Sequence, residues 1–181
     1  MAATDGAVTP GPVPADTAAQ LVTELYRRHR VGMVRMALVI VGDRPTAEDV
    51  VQDAFAGLYR AVPRLRDPDR ALGYLRSAVI NRCRSVHRSR SRALHLHSRH
   101  RQVQPPVWSA ESAVLAREES RLALRAVAAL PLRAREVLAL RYLLDLTDAE
   151  IAGTLGVSKA TVSSTASRAL AALARDLKEE S

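Results

Sequence analysis

The sequence predicts an all-α protein of two small helical domains joined by a flexible linker, the second carrying a helix-turn-helix. Three observations predict it. Apolar residues recur at three- and four-residue spacing through most of the chain. Helix start and stop signals punctuate that pattern at Gly42-Asp43, Pro63, Asp67-Pro68, Pro131 and Gly156. A polar stretch around Gln104-Pro105-Pro106 cannot continue a helix and divides the chain in two. At 181 residues and 48% apolar content, the length suits one large or two small domains. The boundaries read from these signals are a disordered tail at 1–16, a first domain at 17–90, a basic linker at 91–110 and a second domain at 111–178.

Ala, Gly, Pro and Asp dominate the tail, which has neither the basic start nor the apolar run of a secretory signal. From Ala18 the pattern turns helical through Leu21, Leu25, Tyr26, His29, Met33, Met36, Ala37 and Ile40, with a weak point at Gly32 where two helices are expected to bend. His29 on this face reads as a packed histidine. Asp43 and Pro45 start the next helix, whose apolar side is Ala47, Val50, Val51, Ala54, Phe55, Leu58 and Val62. Glu48, Asp49, Gln52 and Asp53 gather on its other side. Such a patch either complements the helix dipole or docks a basic partner, and the residues alone leave both open. After Pro63, Asp67-Pro68-Asp69 starts a helix with the apolar line Leu72, Leu75, Val79, Cys83 and Val86. Arg76, Arg82, Arg84 and Arg88 project elsewhere, with Ser77 and Asn81 among them.

From Arg82 to Arg101 there are seven arginines and no acid. Surface helices usually mix signs, so contact with phosphates explains this run better than a solvated face does. The net charge of +8 agrees with a polyanionic partner, and it comes mostly from arginine, the only lysines being Lys159 and Lys178. The single Cys83 cannot form an internal disulfide and suits a reducing compartment. His95, His97 and His100 near it fit no zinc spacing, so no metal and no cofactor is expected. No apolar run reaches the roughly eighteen residues of a membrane span, so no span is expected, and with Cys83 a cytoplasmic protein is expected.

The linker's one large anchor is Trp108. Ser112 to Leu130 forms the next helix, with Val114, Leu115, Leu122, Val127 and Leu130 inward, and Arg133 to Leu144 follows Pro131. Thr147 and Glu150 then have the capping-box form. Ile151, Ala152 and Leu155 share a face of the short helix that opens there, and Gly156 ends it. Ser158 caps a second helix with the inward stripe Val162, Ala166, Ala169, Leu170 and Leu173. Outward lie Lys159, Ala160, Ser163, Ser164, Ser167 and Arg168. With Ser158 and Thr161 they make a short, polar, partly cationic face suited to a DNA major groove. Taken alone, the same stretch also fits an αα-hairpin packed for structure.

With both domains in view, the chain resembles a bacterial sigma factor of the extracytoplasmic-function group, in the actinobacterial branch labelled sigma-E. Leu25-Tyr26-Arg27-Arg28-His29, Val34-Arg35-Met36-Ala37, Gly42-Asp43, Ala47 through Phe55, Leu65-Arg66-Asp67-Pro68, Tyr74-Leu75-Arg76 and Asn81-Arg82 carry the resemblance in the first domain. Leu130-Pro131, Arg135-Glu136-Val137-Leu138, Leu140-Arg141-Tyr142 and Leu146 through Arg168 carry it in the second. The resemblance implies that Glu48, Asp49, Gln52 and Asp53 grip the clamp coiled coil of the β′ subunit of core RNA polymerase. It implies that Tyr74, Arg76, Ser77, Asn81, Arg82 and Arg84, with the neighbouring Arg88, read and melt the −10 promoter element. Ser158, Lys159, Thr161, Ser163, Ser164, Ser167 and Arg168 would read the −35 element. The linker would thread toward the polymerase active-site channel. Implied partners are core polymerase, through its β′ clamp and β flap, promoter DNA and an anti-sigma protein, with no small-molecule substrate. Ser85 stands where the family often has Asp, and Ser163 and Thr165 where basic residues are usual, so the −35 helix should hold phosphates less tightly than its relatives do.

Two other functions compete. A helix-turn-helix regulator acting without polymerase needs a dimerising segment and no acidic docking patch. A nucleic-acid enzyme needs a Gly-rich phosphate loop, paired carboxylates or a Ser/Cys and His constellation, and none of these is visible.

Overall fold

A computed structural model describes residues 15–65, 67–97 and 125–179. Within them lie six labelled helices: α1 (Ala15–Val41), α2 (Arg44–Ala61), α3 (Ala71–His97), α4 (Leu132–Leu143), α5 (Asp148–Leu155) and α6 (Lys159–Glu179). Short 3₁₀ turns at Val62–Arg64 and Pro68–Arg70 join α2 to α3, and residues 125–129 are also helical. The described residues are all-α and form the two helical units expected.

α1 does not bend at Gly32. It runs unbroken for 27 residues, and Gly32 serves another purpose. A Cβ there would meet Leu144 Cδ2 at 3.1 Å, so the missing side chain makes a notch that receives the end of α4. Nor does α1 wait for residue 17: Ala15 and Asp16, assigned to the tail, form its first turn, while residues 1–14 lie outside the described residues. Gly42 takes the left-handed conformation at φ 89° and closes the helix, its N–H donating to Leu38 O at 2.9 Å.

Asp43 caps α2, accepting from Thr46 N–H at 2.9 Å, with a proline in the first turn. Every apolar position read for this helix is buried, from Ala47 through Val62. Asp67 caps the turn before α3 by accepting from Asp69 N–H at 3.0 Å. Leu75, Val79 and Cys83 then carry α3 into the core, joined by Ile80. α3 continues to His97, past residue 91 where the linker was placed. The rest of that linker, Trp108 and most of the helix read from Ser112 lie outside the described residues.

The two units share a core. Met33, Met36 and Ile40 of α1 belong to one buried apolar cluster with Val137 and Leu140 of α4, Ile151 of α5 and Val162 of α6. α1 packs on α2 and α3 on one side and on α4 on the other. A smaller cluster of Leu130, Ala134, Leu138 and Ala169 lies within the second unit.

Between α5 and α6 the chain turns at Gly156, φ 67°, whose N–H donates back to Ala152 O. A Cβ would meet nothing there, so the penalty for any other residue is conformational. Gly156→Ala should therefore lower stability by about 1–2 kcal/mol without changing helix content, a loss that chemical denaturation followed by circular dichroism would detect.

Candidate nucleic-acid interface

The reading face of α6 is built by its two ends. Thr147 and Glu150 complete the capping box of α5, with Thr147 N–H donating to Glu150 Oε2 at 2.9 Å and Glu150 N–H to Thr147 Oγ1 at 3.3 Å. Arg141 pairs with Asp148 and ties α4 to that first turn. Ser158 Oγ accepts from Thr161 N–H at 3.1 Å and bonds the Thr161 hydroxyl at 2.8 Å, so these two candidates are engaged in starting α6. Val162, Ala166 and Ala169 bury the inner stripe. Leu170, assigned to that stripe, is instead 42% exposed: Ala169 takes the inward position and its neighbour is turned out. Lys159, Ala160, Ser163, Ser164, Ser167 and Arg168 are all exposed. Arg168 Nε donates to Ser164 O at 3.2 Å, which holds the arginine along the helix.

On α2, Asp49, Gln52 and Asp53 are exposed and Glu48 is held by Arg44 at 2.8 Å. Arg82 braces this face from α3, donating through Nη2 to Asp53 O at 3.0 Å. Beside Gln52 lies a shallow apolar groove lined by Val22, Phe55, Ala56 and Tyr59. Tyr26 meets Phe55 edge-on at 5.0 Å between centroids, with Arg30 over its outer face at 5.7 Å. An acidic rim around an apolar, aromatic floor is suited to a helical protein partner of basic character.

The residues assigned to −10 reading divide. Tyr74, Asn81 and Arg88 are exposed. Asn81 Oδ1 accepts from Arg84 at 3.4 Å, and Ser85 Oγ accepts from Arg88 at 2.8 Å. Arg76 and Arg84, expected to project away from the apolar line of α3, are turned against the second unit, their side chains only 18% and 21% exposed. Arg84 makes a bidentate pair with Glu136 of α4, Nε to Oε1 at 2.7 Å and Nη2 to Oε2 at 2.9 Å. Arg133 adds a third contact to the same carboxylate at 3.2 Å. Arg76 lies 3.9 Å from Glu150. Tyr74, Arg76 and Ser77 line one wall of a crevice of about 650 Å³ whose other wall is Glu150, Gly153 and Thr154 of α5.

Arg135 and Glu136, named in the sequence only as part of the family motif and given no role there, are the two charged residues buried in the core among the described residues, at 4% and 1% exposure. Their signal was present: every residue from Ala134 to Leu140 is buried, so a charge pair inside that window needs partners from elsewhere. Arg135 Nη1 donates to Ile40 O at 2.7 Å, across the two units. The same carbonyl accepts from His87 Nε2 at 2.8 Å, which fixes the proton on that nitrogen. Arg90 donates to Val41 O and to Asp43 Oδ2, each at 2.6 Å. Burial pulls the His87 pKa down, and Arg135 and Arg90 add to this against the opposing effects of Ile40 O and Glu136. At Asp43, burial acts upward but is outweighed by hydrogen bonds from Thr46 and Arg90, so its carboxyl titrates below the usual range. No group of three or more metal-ligating side chains forms among the described residues.

Residues 25–93 match the family model described as sigma-70 region 2, and residues 120–173 the one described as sigma-70, region 4. The chain is 34% identical over 147 residues, 78% of its length, to a probable RNA polymerase sigma factor RfaY of Xanthomonas campestris pv. campestris. It spans 36% of the length of that curated relative. Among solved structures, CnrH in complex with the cytosolic domain of CnrY superposes with a TM-score of 0.64 at 26% identity, covering 92% of this chain and 98% of that one. The sigma factor RpoE from Bartonella quintana, in complex with the anti-sigma factor NepR, superposes at 0.69 with 18% identity, covering 86% and 98%, and shares the fold.

His87 generates a pH dependence whose sign follows from its environment. Its folded pKa lies below the unfolded value of 6.5, so the unfolded chain takes up more protons and stability falls as pH drops through that value. His29, lowered by burial and by Arg76 and Arg28, acts in the same direction. The melting temperature should fall from pH 7 toward pH 5.5. His87→Gln, which keeps a donor for Ile40 O, should flatten part of that decline in scanning calorimetry across the same range.

Proposed function

The chain belongs to the sigma-70 family, carrying its region 2 and region 4, and from that premise we propose that it is a promoter-specificity subunit of the extracytoplasmic-function type. It binds core RNA polymerase, directs it to promoters and initiates transcription there, with no chemistry of its own. The motif order assigns it to the actinobacterial sigma-E-like branch. The observation that carries the proposal is the opposition of two surfaces in one basic chain. Asp49, Gln52 and Asp53 form an exposed acidic face that DNA would repel. α6 presents an exposed face of serines with Lys159 and Arg168 that DNA would accept. A DNA-binding protein that works alone has no use for the first surface, whereas one that must hold a basic protein and a promoter together needs both.

In this reading Glu48, Asp49, Gln52 and Asp53 dock the β′ clamp, with the groove beside Phe55 and Tyr59 receiving apolar side chains, and the second unit also meets the β flap. Tyr74 and Asn81 take bases of the −10 element. Arg76, Ser77, Arg82, Arg84 and Arg88 take its backbone. Ser158 and Thr161 set the start of α6, and Lys159, Ser163, Ser164, Ser167 and Arg168 meet the −35 element. A regulator protein is a further partner: the relative with 26% identity was solved bound to the cytosolic domain of another protein, and the sequence resemblance places such regulators in the anti-sigma class. The site of action is the cytoplasm, on the nucleoid. No described helix is long and apolar enough to cross a membrane.

Reversing the acidic face tests the docking role. Asp49→Arg with Asp53→Arg should abolish capture of core polymerase in a pull-down and promoter-directed transcripts in vitro, with the helical circular-dichroism spectrum retained because both side chains are exposed. Undiminished capture would remove this assignment.

Arg168 is tested separately. It is the outward arginine of α6, and a base-reading arginine contributes about 1–3 kcal/mol of discrimination at one position. Arg168→Ala should therefore relax preference at a single −35 base when a panel of promoter variants is transcribed. A uniform drop across the panel, with a salt slope shallower by about one unit, would make Arg168 a phosphate contact.

A further inference from the structure

We propose that Arg82 is a positioning residue for the docking face: from α3 it holds the main chain of α2 at Asp53, leaves the Asp53 carboxylate in solvent, and so presents that carboxylate to a basic partner in one geometry. The inference rests on the docking role proposed above. Its ground is where the guanidinium is aimed. Arg82 Nη2 donates to Asp53 O at 3.0 Å, whereas Nε stands 3.8 Å from Asp53 Oδ2, beyond hydrogen-bond range. Nε is itself buried without a hydrogen-bond partner. An arginine placed to neutralise Asp53 would meet the carboxylate with its fork of donors. This one grips the backbone carbonyl instead, and the Asp53 side chain stays 75% exposed.

The grip depends on Gly57. Inside a helix the carbonyl of Asp53 accepts from the N–H of Gly57, and Arg82 takes its second lone pair. A side chain at 57 would lie over the turn N-terminal to its own Cα, which is the turn carrying Asp53 O. Glycine leaves that place open. A Cβ there would stand 3.5 Å from Arg82 Nη2, an ordinary contact, and a longer side chain would run into the guanidinium. Glycine is, after proline, the least favoured residue in a helix interior. No left-handed conformation calls for it at this position.

A second arginine of α3 holds the other end of the same stretch. Arg90 donates to Asp43 Oδ2 at 2.6 Å and to Thr46 Oγ1 at 3.1 Å. The two grips lie about 12 Å apart along α3 and flank Glu48, Asp49 and Gln52. Arg90 also closes α1 through Val41 O, so Arg82 is the one whose removal tests docking. A surface held at both ends loses less freedom on binding, and the gain appears mainly as slower dissociation. This role is additional to the −10 backbone contact assigned to Arg82, because a guanidinium has several donors to share.

Full-length proteins are compared by fluorescence anisotropy for association with and dissociation from core polymerase, and for binding to a fluorescein-labelled oligothymidylate strand over a salt series. Arg82→Lys keeps the charge and loses the fork. It should leave core polymerase about tenfold faster, with the association rate and the salt slope on the strand unchanged. Gly57→Leu, which crowds the guanidinium while raising helix propensity, should do the same, whereas Gly57→Ala should bind as wild type does. In an Asp53→Asn background Arg82→Lys should add little, because the carboxylate it positions is gone; a general loss of stability would cost as much there as in the wild type. Without polymerase, the Gly57 amide should exchange about fivefold faster in Arg82→Lys. Wild-type dissociation and exchange rates in Arg82→Lys would overturn the proposal, and so would equal losses in the two backgrounds or a tighter complex. Asp49→Arg with Asp53→Arg is run alongside. If that variant also dissociates as wild type does, the docking reading fails, and amide exchange at Gly57 still decides whether the grip exists.

Discussion

The last turn of α1 ends in carbonyl groups that cannot reach water, because Ile40 and Val41 are fully buried. A helix end carries a partial negative charge and unpaired acceptors, and burying it without partners is costly. α1 has no basic residue in its own last turn. Its partners come from a distance: His87 and Arg90 from α3, and Arg135 from α4. One unsatisfied helix end thus recruits cations from both units. Arg90 goes on to hold Asp43, the residue that starts α2, so the same few atoms close one helix and help open the next.

Around that centre the charges are arranged by sign and depth. Arg135 and Glu136 are deepest, each answered from the first unit, by a carbonyl and by a guanidinium. Further out come the loosely paired Arg76 and Glu150 at 3.9 Å, and outermost the acidic face of α2 and the polar face of α6. Removing one member of a deep pair strands the other, whereas separating the two units returns both to water. Deep pairing of this kind gives a precise mutual orientation at little net gain in stability.

Much of the fold was legible because helices announce themselves locally. The start of α2 at Asp43, its buried line from Ala47 to Val62, the capping box at Thr147 and the left-handed Gly156 all follow from neighbours within four residues. Helix ends and one stripe position, at Ala15, His97 and Leu170, were misjudged locally, and what depended on the other unit could not be read at all. Gly32 reads as a bend because a glycine in a helix weakens it, and only the arrival of Leu144 explains its presence. The pairing of Arg76 and Arg84 was not legible because their acids lie far along the chain. The outward face of α6 was legible apart from Leu170, since Lys159, Ser163, Ser164, Ser167 and Arg168 needed only the helical period of their own segment.

Cys83 bears on how this molecule can receive information. It is the only cysteine of the sequence, is wholly buried, and its thiol is pushed up to about 12 by burial, with Glu136 adding to the effect. At neutral pH the group stays a thiol, whereas the thiolate is the nucleophile toward peroxides and disulfides. Cys83 is therefore a poor target for oxidants. Its place in the molecule is that of a small apolar side chain filling the core beside Val79 and Ile80.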